Sequence, residues 1–253
     1  MEVLRFRNEG EWIEAVRRAF REAADAARAR GSPSLRLCLA GGRTPEPAYR
    51  ALARTPLRDL RVELWLGDER EVDPASPDRN GGLVLRAFRD CAWVPAPSFL
   101  LWPAGSAAKA CVAVEARLGG LEEPYFDLSL LGVGEDGHTA GIFPGGPEAE
   151  ESERLAVPSR APSEPRSRMT LTPRALASTR ELRYLLRGPA KLGLAERLAS
   201  GPGPDGSAAA DSRSKGPRPG GPSWTPGSLL PAELVARRAR AAGAGTALFY
   251  CET

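Results

Sequence analysis

The sequence predicts an α/β fold, a mostly parallel sheet with helices on both faces, formed as a single domain over residues 1–253. Three observations predict it. Short apolar runs recur along the chain, among them LRLCLA at 35–40, RVELWL at 61–66, FDLSLLGVG from Phe126 and TALFYC at 246–251. Between them lie segments whose apolar residues repeat every three or four positions. Several of the runs end directly in glycine turns, where a strand hands over to its crossover.

Taken in order, residues 11–30 place Trp12, Ile13, Val16, Phe20, Ala23, Ala24 and Ala27 at helical spacing, and Gly31 is the stop. The run at 35–40 is a buried strand that leads into Gly41-Gly42-Arg43-Thr44-Pro45 and then the helix EPAYRALA. Thr44 has the chemistry of an N-cap and Pro45 that of a first helical residue. Strand, glycine turn and capped helix together read either as an anion site, to which Arg43 adds a cation, or as an ordinary strand-to-helix turn. RVELWL is the next strand and ends in Gly67-Asp68-Glu69-Arg70, where three charges form either a solvated turn or part of a site. Beyond the polar EVDPASPDRNGG, the pattern predicts a helix over 83–91, a strand over 98–103 and a helix over 106–120. After FDLSLLGVG come a weak strand at 154–159 and a segment, 166–172, that leads into a short helix at Pro173. A strand at 181–188, helices at 189–200 and 231–240 and a strand at 246–251 close the chain. Residues 201–228 hold one large apolar side chain, Trp224, among Gly, Pro, Ser and charges, which predicts a long mobile loop.

Composition narrows the function. With 42% hydrophobic and 26% charged residues, the 253-residue chain has an ordinary globular balance. A net charge of +3 is too small to argue for nucleic acid, so no nucleic-acid partner is expected. No apolar run reaches the length of a membrane span, and MEVLRFRNEGEW lacks the apolar core of a signal peptide, so a cytoplasmic setting is expected. Cys38, Cys91, Cys111 and Cys251 are far apart, form no CxxC and have no histidine beside them, so no metal is expected. A monomer or small homo-oligomer is anticipated.

The chemistry concentrates at Phe126–Pro144, FDLSLLGVGEDGHTAGIFP, which carries the only histidine, His138, at a strand's glycine-rich end. Imidazole suits acid–base work near neutral pH. Gly132–Gly137 matches GxGxxG, but Pro144 and Gly145-Gly146 cut the following segment before a full helix can form, and no acidic residue ends the next strand. A dinucleotide cofactor is therefore not expected. The other candidates agree with one another: backbone donors at Gly41–Thr44 with Arg43, Arg168 beside a short strand, and Lys191 in the first turn of a helix. Each alone reads as a surface group. Together with the acidic turn and His138 they point to a phosphorylated small molecule with an acid–base centre.

AGGRTP, LWLGDEREVDPASPDRN, LSLLGVGEDGHTAGIFPG, SRMTLT, LRGPAK and LPAELV occur in an order and spacing that resemble the 6-phosphogluconolactonase family, within the glucosamine-6-phosphate isomerase/deaminase superfamily. The resemblance covers about residues 35–240. It implies a single domain of the glucosamine-6-phosphate deaminase/ribose-5-phosphate isomerase-like type. It also implies hydrolysis of a phosphorylated sugar lactone, 6-phospho-D-glucono-1,5-lactone, in the oxidative pentose phosphate pathway, without metal or cofactor. By the same resemblance His138 is the base that activates water, Asp68 and Arg70 contact the ring end, and Gly42, Arg43, Thr44, Arg168 and Lys191 grip the phosphate. Asn80 matches a Ser-Asn pair in which Arg79 replaces the usual serine, and Cys251 stands where aspartate is common. The guanidinium of Arg70 or the N–H groups of Gly41 and Gly42 could receive the oxyanion, and Asp136 or Asp68 could orient the imidazole. Two other readings are a deaminase/isomerase activity and a non-catalytic sugar-phosphate sensor. Deaminases carry a glutamate five residues after the histidine, where this chain has Phe143, and tend to an aromatic at Arg70.

Overall fold

Every residue from Phe126 to Leu131 is buried, although successive side chains of a strand point to opposite faces. Both faces of the sheet are therefore covered, as expected of parallel strands at the centre of an α/β protein. The computed structural model describes residues 1–200 and 229–253. The loop expected at 201–228 lies outside the described residues. The strands are β1 (Glu2–Phe6), β2 (Ser34–Leu39), β3 (Leu57–Arg58), β4 (Arg61–Leu66), β5 (Asp68–Arg70), β6 (Trp93–Val94), β7 (Ser98–Leu100), β8 (Phe126–Gly132), β9 (Ala156–Arg160), β10 (Ser167–Leu171), β11 (Thr179–Arg187) and β12 (Gly245–Cys251). The helices are α1 (Glu9–Ala29), α2 (Glu46–Ala53), α3 (Asn80–Ala87), α4 (Ala107–Gly119), α5 (Pro173–Ala177), α6 (Leu192–Ser200) and α7 (Pro231–Ala241). None of the described helices is long and apolar enough to cross a membrane.

Seven strands form one sheet in the order β1-β12-β11-β8-β2-β4-β7, and every pairing in it is parallel. From β2 the chain builds outward through β4 to β7. It then returns to lay β8 on the other side of β2 and builds the opposite way through β11 and β12. The strand order reverses between β2 and β8, and such a switch point leaves a crevice at the carboxyl ends of the two strands. A small antiparallel sheet, β5-β10-β9, stands beside it.

Several expectations change. Glu2–Phe6, which carries no strand pattern in the sequence, is an edge strand paired with β12. Its burial is partial and irregular, so its apolar pattern is weak. Thr44 does not cap α2: the N-cap is Pro45, and no side chain accepts there. Arg168 lies within a strand rather than beside one, because β10 extends the sheet begun by the charged turn at β5. Lys191 ends a short 3₁₀ turn, Pro189–Lys191, that precedes α6. The helix expected from residue 83 starts at Asn80.

Glu69 explains that earlier start. It is fully buried. Its Oε1 accepts from the backbone N–H groups of Arg70 (2.7 Å) and Asn80 (2.7 Å), and its Oε2 from that of Gly81 (2.8 Å). The carboxylate thus caps α3 from another strand, satisfying donors that its own N-cap residue, Arg79, leaves free. The Arg79 guanidinium, itself buried, sits 3.6 Å from Oε2 and donates to Trp102 O at 2.9 Å. Glu69→Ala would strand two helix N–H groups and leave Arg79 buried without its counter-charge. We expect a loss of about 3 kcal/mol of stability in a urea titration; a change below about 1 kcal/mol would contradict this role.

Candidate active site

Four strand ends and one helix start wall a cavity of about 200 Å³ at the switch point. From β2 come Gly41, Gly42 and Thr44; from the β4–β5 turn, Asp68 and Arg70; from the start of α3, Asn80. The loop after β8 supplies His138 and Ala140, and the end of β11 supplies Arg187 and Lys191. A larger cavity of about 670 Å³ opens at the opposite end of the sheet, beside Thr179 at the start of β11. Arg30, Arg174 and Arg180 on its wall are paired with Asp127 or Glu123. Sites in parallel sheets form at the carboxyl ends of strands, and the smaller cavity is the one in that position.

His138 is held by the loop it ends. Its Nδ1 lies 2.6 Å from Oδ1 of Asp136, and the same oxygen accepts from the His138 backbone N–H at 3.1 Å. Burial pushes the Asp136 carboxyl up, but the hydrogen bonds and charge of His138 outweigh it and hold the group below the usual carboxylate range. An ionised carboxylate only accepts, so in the neutral form of the ring the proton belongs on Nδ1 and Nε2 offers a lone pair. Glycine is required at 134, where a Cβ would lie 2.1 Å from the imidazole. The Phe143 ring packs on the imidazole at 4.9 Å between centroids.

The anion-suited side of the cavity is β2's glycine turn. Gly42 has φ +87°, which glycine adopts freely. The backbone N–H groups of Gly42, Arg43 and Thr44 find no acceptor among the described residues. Gly41 lies flush against Asn80: a Cβ there would sit 1.9 Å from Oδ1. The Asn80 amide donates to Asp68 O at 3.0 Å, while its Oδ1 is buried without a partner. Lys191 Nζ donates to Val133 O at 2.7 Å; burial lowers its pKa, against the opposing charges of Glu135 and Asp136.

On the other side, Arg168 and Arg70 face each other across β10 and β5, and the Nε of each is buried without an acceptor. Arg70 Nη1 donates to Asp78 O. Burial raises the pKa of the Asp68 carboxyl, with the charge of Arg70 pulling the other way.

Of the sequence candidates, Gly41, Gly42, Thr44, Asp68, Arg70, Asn80, His138 and Lys191 meet on the wall, while Asp136 stands behind His138. Arg43 is exposed outside the lining, and Arg168, paired with Arg70 across the strands, is also outside it. Arg79 turns away to Glu69 and Trp102, so the replacement of serine adds no cation to the cavity. Sequence reasoning missed Arg187, whose guanidinium bonds Glu9 at 2.5 Å and Thr253 O at 2.7 Å. The signal was a cation at the carboxyl end of a strand, immediately before Gly188-Pro189.

A family model described as glucosamine-6-phosphate isomerases/6-phosphogluconolactonase matches residues 7–215. A 6-phosphogluconolactonase from Streptomyces coelicolor is 34% identical over 219 residues, covering 79% of this chain and 83% of the relative. One from Pseudomonas putida is 37% identical over 160 residues, and the match spans 61% of this chain and 65% of the relative's length. The crystal structure of a 6-phosphogluconolactonase from Thermotoga maritima superposes with a TM-score of 0.73 at 22% identity, over 100% of this chain and 99% of that one, and shares the fold. A matched model over most of the chain, with the same blocks lining one cavity, makes this chain a member of the glucosamine-6-phosphate isomerase/6-phosphogluconolactonase family.

Proposed function

We propose that the chain hydrolyses 6-phospho-D-glucono-1,5-lactone to 6-phospho-D-gluconate, the second step of the oxidative pentose phosphate pathway, in the cytoplasm. The single observation that carries this reading is the Asp136–His138 pair, with His138 on the wall of a cation-rich cavity. A lactone is an activated ester, so water needs a positioned base and little else. In the proposed mechanism Nε2 of His138 takes a proton from water as its oxygen bonds to the lactone carbonyl carbon. The tetrahedral intermediate collapses by breaking the bond to the ring oxygen, which takes the proton back from the imidazolium. Asp136 keeps the imidazole in the required tautomer and balances its positive charge in between.

The remaining residues position the substrate. The N–H groups of Gly42, Arg43 and Thr44 at the start of α2, with Lys191, suit the phosphate. Arg70, backed by Arg168, and Asp68 suit the ring end, and the unpartnered Asn80 Oδ1 beside Gly41 suits a hydroxyl donor. Phosphate binding remote from the carbonyl converts binding energy into alignment. Phe143 argues against the deaminase reading, because the aromatic ring packs on His138 where the sister activity places a carboxylate.

The test follows lactone loss against its spontaneous hydrolysis, with ammonia release from glucosamine 6-phosphate measured alongside. Wild type should hydrolyse the lactone and release no ammonia. His138→Ala should lose on the order of 10³-fold in rate, the middle of the range for a general base; a wild-type rate in this variant would rule the mechanism out. Lys191→Ala should raise KM for the lactone about tenfold with kcat little changed, the worth of one charge-assisted hydrogen bond; an unchanged KM would remove Lys191 from the phosphate site.

A further inference from the structure

We propose that the backbone N–H of Ala140 receives the oxyanion that develops on the lactone carbonyl, an inference that rests on the lactonase reading of this cavity. Two non-glycine residues among those described have positive φ, Asp59 at 62° and Ala140 at 49°. Asp59 belongs to the turn between β3 and β4, whereas Ala140 lines the cavity two residues after His138. An L-residue in the left-handed region costs about 1–2 kcal/mol, and persists where the surroundings impose it.

The surroundings do impose it. Ile142 N–H donates to Thr139 O at 3.0 Å and closes a tight turn around Ala140 and Gly141. Thr139 is fully buried and its hydroxyl donates to Gly132 O at 2.9 Å, which ties the turn's entrance to the end of β8. Gly141 N–H donates to Thr170 Oγ1 at 3.0 Å, and a Cβ on Gly141 would lie 2.8 Å from the Thr170 Cβ. The turn is thus clamped between the main sheet and β10.

Most of the amides along it are spent: His138 N–H goes to Asp136, Gly141 N–H to Thr170 and Ile142 N–H to Thr139, and of the two that remain, on Thr139 and Ala140, only Ala140 belongs to a residue that lines the cavity. Ala140 N–H has no acceptor among the described residues. The other candidate donors, Arg70, which spends one of its nitrogens on Asp78 O, and Gly41 N–H, which also has no acceptor among the described residues, lie on elements other than the loop that carries His138. The Gly42 amide belongs to the turn before α2, which the proposed function gives to the phosphate rather than to the carbonyl. Ala140 and His138 are close enough in the chain to serve one carbon atom. As the water oxygen bonds to that carbon and its proton passes to Nε2, the carbonyl π pair moves onto oxygen, where a fixed N–H stabilises it more than it stabilises the ground state. The pair returns when the ring C–O bond breaks.

The direct test is a crystal structure of the wild-type protein with 6-phospho-D-gluconate. The account expects one carboxylate oxygen within hydrogen-bonding distance of Ala140 N and beside His138. A carboxylate next to His138 but held by Arg70 or by Gly41 and Gly42 would overturn this inference alone; a product bound away from His138 would overturn the proposed function with it. A kinetic arm uses Thr170, which lies outside the cavity lining. Thr170→Val removes the clamp on Gly141 and should lower kcat by roughly tenfold or more at unchanged KM, and Thr170→Ser should restore it. Wild-type kcat in a folded Thr170→Val protein would also overturn the inference.

Discussion

The hydrogen bond between Asp136 and His138 sets requirements that much of the surrounding chain exists to meet. To bring both side chains onto one loop two residues apart, the loop must fold over them, and Gly134 has no room for a Cβ. Gly134 N–H closes the loop on His138 O at 2.9 Å, and Gly137, at φ +85°, lies so close to Leu230 that a Cβ would be 2.6 Å from it. The first turn of α7 then holds the loop from outside through Ala232 N–H to Gly137 O at 3.2 Å. Of the three glycines of this stretch, which by pattern alone resemble a dinucleotide turn, Gly134 is instead the clearance for the imidazole and its carboxylate, and Gly137 the clearance for Leu230.

Around that pair the cavity is assembled from groups left short of partners. Arg70 and Arg168 oppose like charges across two strands, and Asn80 buries an unsatisfied oxygen. Such arrangements weaken a fold unless a ligand completes them. The chain offsets them with interactions just outside the wall. Glu69 ties β5 to α3 and so fixes Asp68, Arg70 and Asn80 at once. Thr139 and Thr170 clamp the turn that follows His138.

What could be read from the sequence follows from how local each signal is. The central strands were legible because burial on both faces leaves predominantly apolar runs, as in FDLSLL and LRLCLA. His138 was legible because it is the only histidine and follows a strand-ending glycine turn. The edge strand Glu2–Phe6 was not, because a half-covered edge has no such run. Nor was the early start of α3, whose cap comes from Glu69, 11 positions from Asn80. Thr44 has the composition of a cap but does not act as one, which leaves the α2 start open toward the cavity. Arg187 and Arg79 illustrate the limit for cations. Residue type could not say that the first lines the cavity while the second turns inward to Glu69.

The central claim is that an ionised Asp136 holds His138 with its proton on Nδ1, leaving Nε2 to accept one from water. Because the chain has a single histidine, ¹⁵N NMR of imidazole-labelled protein reads that side chain without ambiguity. The account predicts that the neutral ring is in the Nδ1–H form, with Nε2 showing the shift of an unprotonated nitrogen that changes when 6-phospho-D-gluconate is added. A neutral ring protonated on Nε2, or an imidazole unaffected by the product, would contradict it.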